Sequence, residues 1–149
     1  MGPRDHVRAA LSAAGVSVVS VAIRPGKPFA FGRHDGSLVF GLPGNPVSAL
    51  VAFEFFVRPA LAVLMGRSPH ERVRVGARLE EAFEQRPGRT NLVRAWLDST
   101  RSPASVRPLA PHTAGSLGSL GRANAWMVVA AEVERLDAGA EVETWPMLP

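Results

Sequence analysis

Apolar positions follow three rhythms along this chain, and each rhythm predicts a different element. Val7, Leu11 and Ala14 recur at helical spacing, with Asp5 placed as an N-cap and Gly15 just beyond the end, so the chain opens on a helix. Val16 to Ile23 reads VSVVSVAI, a β-branched run of strand length, apolar enough to be buried on both faces as in a parallel sheet. The turn RPGKP, Arg24 to Pro28, then excludes regular structure and holds two cations on a stiff loop. Phe29 to Phe31 and Ser37 to Phe40 flank Arg33-His34-Asp35-Gly36, where the Asp-Gly pair signals a hairpin. In GLPGNP, Gly41 to Pro46, Asn45 suits an N-cap and Pro46 the first helical position. A helix of roughly 20 residues, about 30 Å, should run from there toward Gly66. Pro59 should kink or split it.

That helix has little polar face, since Leu50, Val51, Phe53, Phe55, Phe56, Val57, Leu61, Val63 and Leu64 surround it. It is therefore expected to be covered on several sides, by sheet and by another domain or subunit, which predicts a homodimer. Val47 to Met65 mimics a membrane span, yet Glu54, Arg58 and Pro59 near its middle are costly in lipid, so it reads as a buried helix and no membrane contact is expected. Beyond Arg67-Ser68-Pro69-His70 the rhythm changes to short alternating runs, Val73 to Leu79, Asn91 to Leu97, Ala125 to Val133 and Glu141 to Trp145. Such runs predict a small β-barrel or sandwich, with Trp96, Trp126 and Trp145 in its core. The Pro/Ser/Gly-rich stretch Ser102 to Gly121 reads as loop. A boundary near residue 70 gives two domains, 1–69 and 70–149.

Composition narrows the chemistry. A chain of 149 residues that is 46% hydrophobic can bury a core. With no Cys there are no disulfides, thiolate nucleophiles or sulfur-bound metals. The four histidines lack ligand spacing and carry no metal assignment. The N-terminus MGPRDHVRAALSAAG lacks the apolar core of a secretory signal, so the cytoplasm is the expected location. A net charge of +4 invites nucleic acid as a partner, but the arginines are scattered singly and interleaved with Glu71, Glu80, Glu81 and Glu84, the pattern of a solvated mixed surface.

The Gly/Pro turn before a helix, close to Arg24 and Lys27, has the composition of an anion site, because helix N-termini present unpaired N–H groups and a positive dipole end. A helix terminus supplies only about 0.3–2 kcal/mol, whereas micromolar affinity needs about 8, so additional cations are required. Spacing alone leaves this reading level with a plain helix start and a plain loop. AIRPGKPFAFG (Ala22 to Gly32) followed by GLPGNPVSAL (Gly41 to Leu50) resembles the molybdopterin molybdenumtransferases, the MoeA and gephyrin E-domain family. So do GPRDHV at the start, PGR and VRA within Pro87 to Ala95, HTAGS at His112 to Ser116, and the ending NAWMVVAAE with GAEVETW.

The resemblance implies an α/β fold for residues up to about 66, the second half of a MoaB/MogA-like three-layer molybdopterin-binding domain, followed by a small all-β barrel domain. It implies insertion of molybdate into adenylylated molybdopterin with release of AMP, the remainder of the enzyme being supplied by a separately encoded N-terminal part or by sequence preceding Met1. The alternative is a non-catalytic module that binds molybdopterin or molybdate, or acts as a scaffold. By motif, Arg24, Lys27 and Pro28 form the basic loop, while Gly44, Asn45 and Ser48 belong to the turn and helix start. Arg94 and Ser116 match barrel positions near the molybdate. Asp5 matches an acidic active-site residue and is the one candidate ligand for Mg²⁺, on which adenylate cleavage in the family depends. Asp5 and Lys27 are the catalytic candidates. Arg24 and Ser20 stand where relatives carry lysines.

Overall fold

A computed structural model describes residues 6–68, 71–110 and 117–147. The chain forms two compact units, one from Met1–Val21 with Gly26–Pro69 and the other from Ala22–Pro25 with His70–Pro149.

In the first unit, α1 (His6–Ala13) ends at Gly15, whose φ of +74° suits glycine, with Val16 N–H donating to the Leu11 carbonyl and Gly15 N–H to that of Ser12. Strands β1 (Ser17–Ser20), β3 (Pro28–His34) and β4 (Ser37–Gly41) form a sheet in the order β1-β3-β4. All its pairings are antiparallel, against the expectation of a parallel sheet. Only seven residues, Val21 to Lys27, separate β1 from β3, and a parallel return needs a dozen or more. Nor is the Val16 to Ile23 run one buried strand: it breaks at Val21, and Val19 is 45% exposed. The hairpin turns at Asp35 (φ +47°) and Gly36 (φ +78°), the two positive-φ positions of a tight two-residue loop.

Each face of this sheet carries a helix. Phe29, Phe31 and Phe40 cluster on one face, where Phe29 meets Phe56 with ring centroids 5.0 Å apart. On the other face lie Ala30 and Gly41, directly paired, beneath Leu11 of α1. A Cβ on Gly41 would come within 2.8 Å of Ala30 Cβ and 3.0 Å of Leu11 Cδ1, so this contact admits only glycine.

The long helix begins where expected and is interrupted where Pro59 demanded it. α2 (Pro46–Ala52) passes into a π-helical turn, Phe53–Val57, and then α3 (Arg58–Leu64). Arg58 N–H reaches back five residues to the Phe53 carbonyl just before Pro59, which has no N–H to give. Gly66 (φ +70°) ends α3 with the same pair of capping bonds seen at Gly15. By length and composition Pro46–Leu64 could cross a membrane, but it buries Val47, Val51, Ala52, Glu54 and Val57. Its remaining surface leaves Phe53, Leu61, Val63, Leu64 and Met65 exposed.

The second unit is a closed barrel of five strands, β5 (Val75–Leu79), β7 (Thr90–Asp98), β8 (Ser105–Pro108), β9 (Ala125–Val129) and β11 (Glu141–Pro146). They run in the order β7-β8-β5-β11-β9, and β9 returns to pair with β7. The two-residue strand β2 (Ile23–Arg24) adds to the edge of β7, parallel, with Arg24 opposite Asn91. A ribbon of β6 (Phe83–Glu84) and β10 (Arg135–Leu136) stands apart. The interior holds Ala77, Leu79, Val93, Ala95, Leu97, Val106, Ala125, Met127, Val129 and Val142. Ser102 to Gly121 is not loop throughout, since it contributes strand β8 and the short α4 (Leu117–Leu120). None of the three tryptophans lies in the barrel interior: Trp96 is 48% exposed, on the opposite side of β7 from Val93, Ala95 and Leu97; Trp126 is buried but alternates with the interior residues Ala125 and Met127; and its register partner Trp145 is half-buried.

Replacing Gly41 with alanine should cost about 1–3 kcal/mol by overpacking, measured by urea unfolding. Gly44→Ala, where a Cβ meets nothing within 4 Å, should change stability by less than about 0.5 kcal/mol.

Candidate functional site

In the first unit, strand register brings two loops to one end of the sheet. Ser20 pairs with Pro28 and Ala30 with Gly41, so the Val21–Lys27 connection and the Leu42–Asn45 turn leave the same end, opposite the hairpin tip. Val21 N–H donates to the Lys27 carbonyl at 3.0 Å and closes the first loop; Gly26 is buried with φ +117°, and Lys27 is exposed. Pro28 opens β3. Gly44 is exposed in the second loop, and Ser48 is buried one turn into α2.

The helix start differs from the expectation of unpaired donors. Asn45 Oδ1 accepts from Val47 N–H at 3.1 Å and Ser48 N–H at 3.3 Å, the Asn45 carbonyl accepts from Ala49 N–H at 2.8 Å, and Pro46 has no N–H. The cap has taken the donors that an anion would have used. What the turn still offers an anion is the positive end of the helix dipole, which leaves the affinity to side-chain cations.

In the second unit Arg24 lies half-buried on β2. Arg94 lies within β7, on the side opposite the barrel interior, and yet is only 4% exposed. Outward-facing, as its strand position suggested, it is nevertheless not a surface residue. Trp126, fully buried, stands directly opposite it on β9, and Leu109 N–H donates to its carbonyl at 2.9 Å from the far edge. Burial strips water from the guanidinium and lowers its pKa from the ordinary arginine value. The covering of this face was legible in β9, where AWMVV is apolar at every position and therefore buried on both sides.

The structure thus groups Lys27, Pro28, Gly44, Asn45 and Ser48 in the first unit, and Arg24 and Arg94 in the second. Asp5 and Ser116 lie outside the described residues. Among the described residues no three His, Asp or Glu side chains cluster to hold a metal, and Asp5, the residue expected to take Mg²⁺, is not among them.

Two family profiles match in succession: the "Probable molybdopterin binding domain" over residues 1–63, and the "MoeA C-terminal region (domain IV)" over residues 76–147. The chain belongs to the molybdopterin molybdenumtransferase family. Molybdopterin molybdenumtransferase 2 of Mycobacterium tuberculosis is 35% identical over 133 residues, covering 89% of this chain and 32% of that protein. The molybdopterin molybdenumtransferase of Synechococcus elongatus is 36% identical over 155 residues, covering 96% of this chain and 35% of its own. The crystal structure of the molybdopterin biosynthesis MoeA protein from Pyrococcus horikoshii superposes with a TM-score of 0.76 at 29% identity, over 95% of this chain and 34% of that one. The chain spans about a third of the length of the curated relatives it matches.

The cap and the charge at Asn45 can be separated. Asn45→Ala should cost about 1 kcal/mol of stability, while Asn45→Asp, an equal cap, should cost none, both read by chemical denaturation.

Proposed function

We propose that this chain supplies the carboxy-terminal share of a molybdenum-insertion site, in which molybdate enters adenylylated molybdopterin and AMP is released. The observation that carries the reading is the meeting of the Lys27 loop and the Asn45 turn at one end of the sheet. Those two segments hold the motifs most particular to the family. Molybdate is a dianion and the adenylylated pterin carries phosphates, so both want cationic and hydrogen-bonding partners. Lys27 supplies an exposed ammonium that can follow a phosphate, and the dipole of α2 adds its smaller contribution. In the second unit, taken by itself, the motif residues Arg24 and Arg94 carry planar donor forks of the kind suited to oxyanion edges. No protein nucleophile is called for, and no step is assigned to Mg²⁺.

Turnover requires the remainder of the fold that the curated relatives carry, whether it precedes this segment or comes from another chain. The exposed apolar side of α3, Leu61, Val63, Leu64 and Met65, is the face on which a homodimer would bury area. A cytoplasmic setting suits the reading. The second reading, a module that binds molybdate or molybdopterin without turnover, uses the same residues.

Calorimetric titration with molybdate tests the ligand. The chain should bind it, and Lys27→Ala and Arg94→Ala should each weaken binding at least about tenfold while preserving the fold. Asn45→Asp should weaken it by repulsion at unchanged stability, and added salt should weaken all variants. Absence of heat with molybdate, together with salt-sensitive retention on DNA, would return the nucleic-acid reading. AMP release on mixing with the amino-terminal two-thirds of the Mycobacterium tuberculosis relative separates enzyme from binding module.

A further inference from the structure

Within the second unit, the loop that leads into β7 is pinned along its length. Gln85 N–H donates to the Glu134 carbonyl at 2.8 Å, Gln85 Nε2 donates to the Ala130 and Val133 carbonyls at 2.9 and 2.8 Å, and Gly88 N–H donates to the Ala131 carbonyl at 2.7 Å. Gly88 turns with φ +108°, a conformation that suits glycine. Just beyond the loop, Thr90 N–H donates to the Ala22 carbonyl at 3.2 Å, and Arg24 on β2 stands opposite Asn91. Arg89, the last residue of the PGR motif, is thus two residues from the register partner of Arg24. With parallel strands about 4.8 Å apart and a rise of about 3.3 Å per residue, the Cα atoms of Arg24 and Arg89 lie about 8 Å apart, so both guanidiniums can reach one point.

Both side chains are half-buried, and no carboxylate among the described residues forms an ion pair with either. Glu132 and Glu134, on the turn against which the loop packs, pair with neither. Arg86 differs, because it is exposed and lines a cleft together with Glu84 and Glu134. Two cations held this close and half out of water repel each other; an anion between them relieves the repulsion and accepts from both forks.

We propose that Arg89 is a second anion-binding residue beside Arg24, the two guanidiniums sharing one tetrahedral oxyanion of the phosphate or molybdate class. This rests on the reading that Arg24 serves an oxyanion, and adds the residue that completes its grip. Each planar fork engages one edge of the tetrahedron. The pinned loop places the Arg89 backbone before the ligand arrives, which lowers the cost of ordering it.

The full chain is titrated separately with inorganic phosphate and with molybdate while the arginine Nε–H NMR signals are followed, assigned by their loss in Arg24→Lys, Arg86→Lys and Arg89→Lys. The Arg24 and Arg89 signals should move together with one common Kd while the Arg86 signal stays in place. Arg24→Gln and Arg89→Gln should each weaken binding about tenfold, and the double variant should be little weaker than either, since losing one fork already opens the grip. Movement of Arg24 with Arg89 unmoved overturns the proposal and leaves the Arg24 reading standing. Movement of Arg86 equal to that of Arg89 also overturns it, as the anion would then be drawn to exposed charge in general. If both signals move with phosphate and not with molybdate, the pairing stands and the molybdate reading fails; if neither anion moves them, both fail.

Discussion

Hydrogen bonding along both edges of β7 is the constraint from which the second unit follows. Asn91 stands opposite Val129 on one side and Arg24 on the other, and Ala95 opposite Ala125 and Pro108. With both edges occupied, the strand cannot slip by one residue without exchanging its two faces. That lock keeps Val93, Ala95 and Leu97 in the barrel interior and Leu92, Arg94 and Trp96 outside it. A guanidinium in the interior would have faced Met127 and Val142 with no means of solvation. The register therefore decides that this buried charge lies outside the barrel interior.

The same economy appears in the first unit, where two short connections set the sheet. A seven-residue loop forces β3 to return antiparallel, and a two-residue hairpin forces β4 to do so again, which brings the Lys27 loop and the Asn45 turn together. Tight packing fixes the layer above: at Gly41 there is no space for a methyl group beneath Leu11. The helix start at Asn45 shows a competition that motifs conceal. The asparagine that best begins a helix also consumes the N–H groups that would make its end an anion site, so stability and binding draw on the same donors.

Much of this was legible in the sequence, and the failures have physical causes. The Asp35-Gly36 hairpin, the Asn45-Pro46 start and the disturbance before Pro59 are local, written in residues whose backbone preferences are strong, and they were read correctly. The Val16 to Ile23 run was misjudged because a β-branched stretch specifies a strand and leaves its partners to loop length. Strand β8 was overlooked because Pro103 and several serines surround it, while Val106, its one interior residue with 0% exposure, gives too little pattern to show. Arg94 and Lys27 were named by motif. The burial of Arg94 is not legible in β7 alone, whose partner strand places Trp126 opposite it from 32 positions away in sequence. Residue type alone suggests core for Trp96, whereas its alternation with Val93, Ala95 and Leu97 along β7 puts it outside the barrel.

The placement of Ile23 and Arg24 carries a topological consequence. Because β2 belongs to the barrel while the residues on both sides of it belong to the other unit, the chain passes between the units three times, near residues 21, 25 and 69. A cut near residue 70 would leave two further covalent crossings, so neither half of this protein can be excised whole by a single break in the chain.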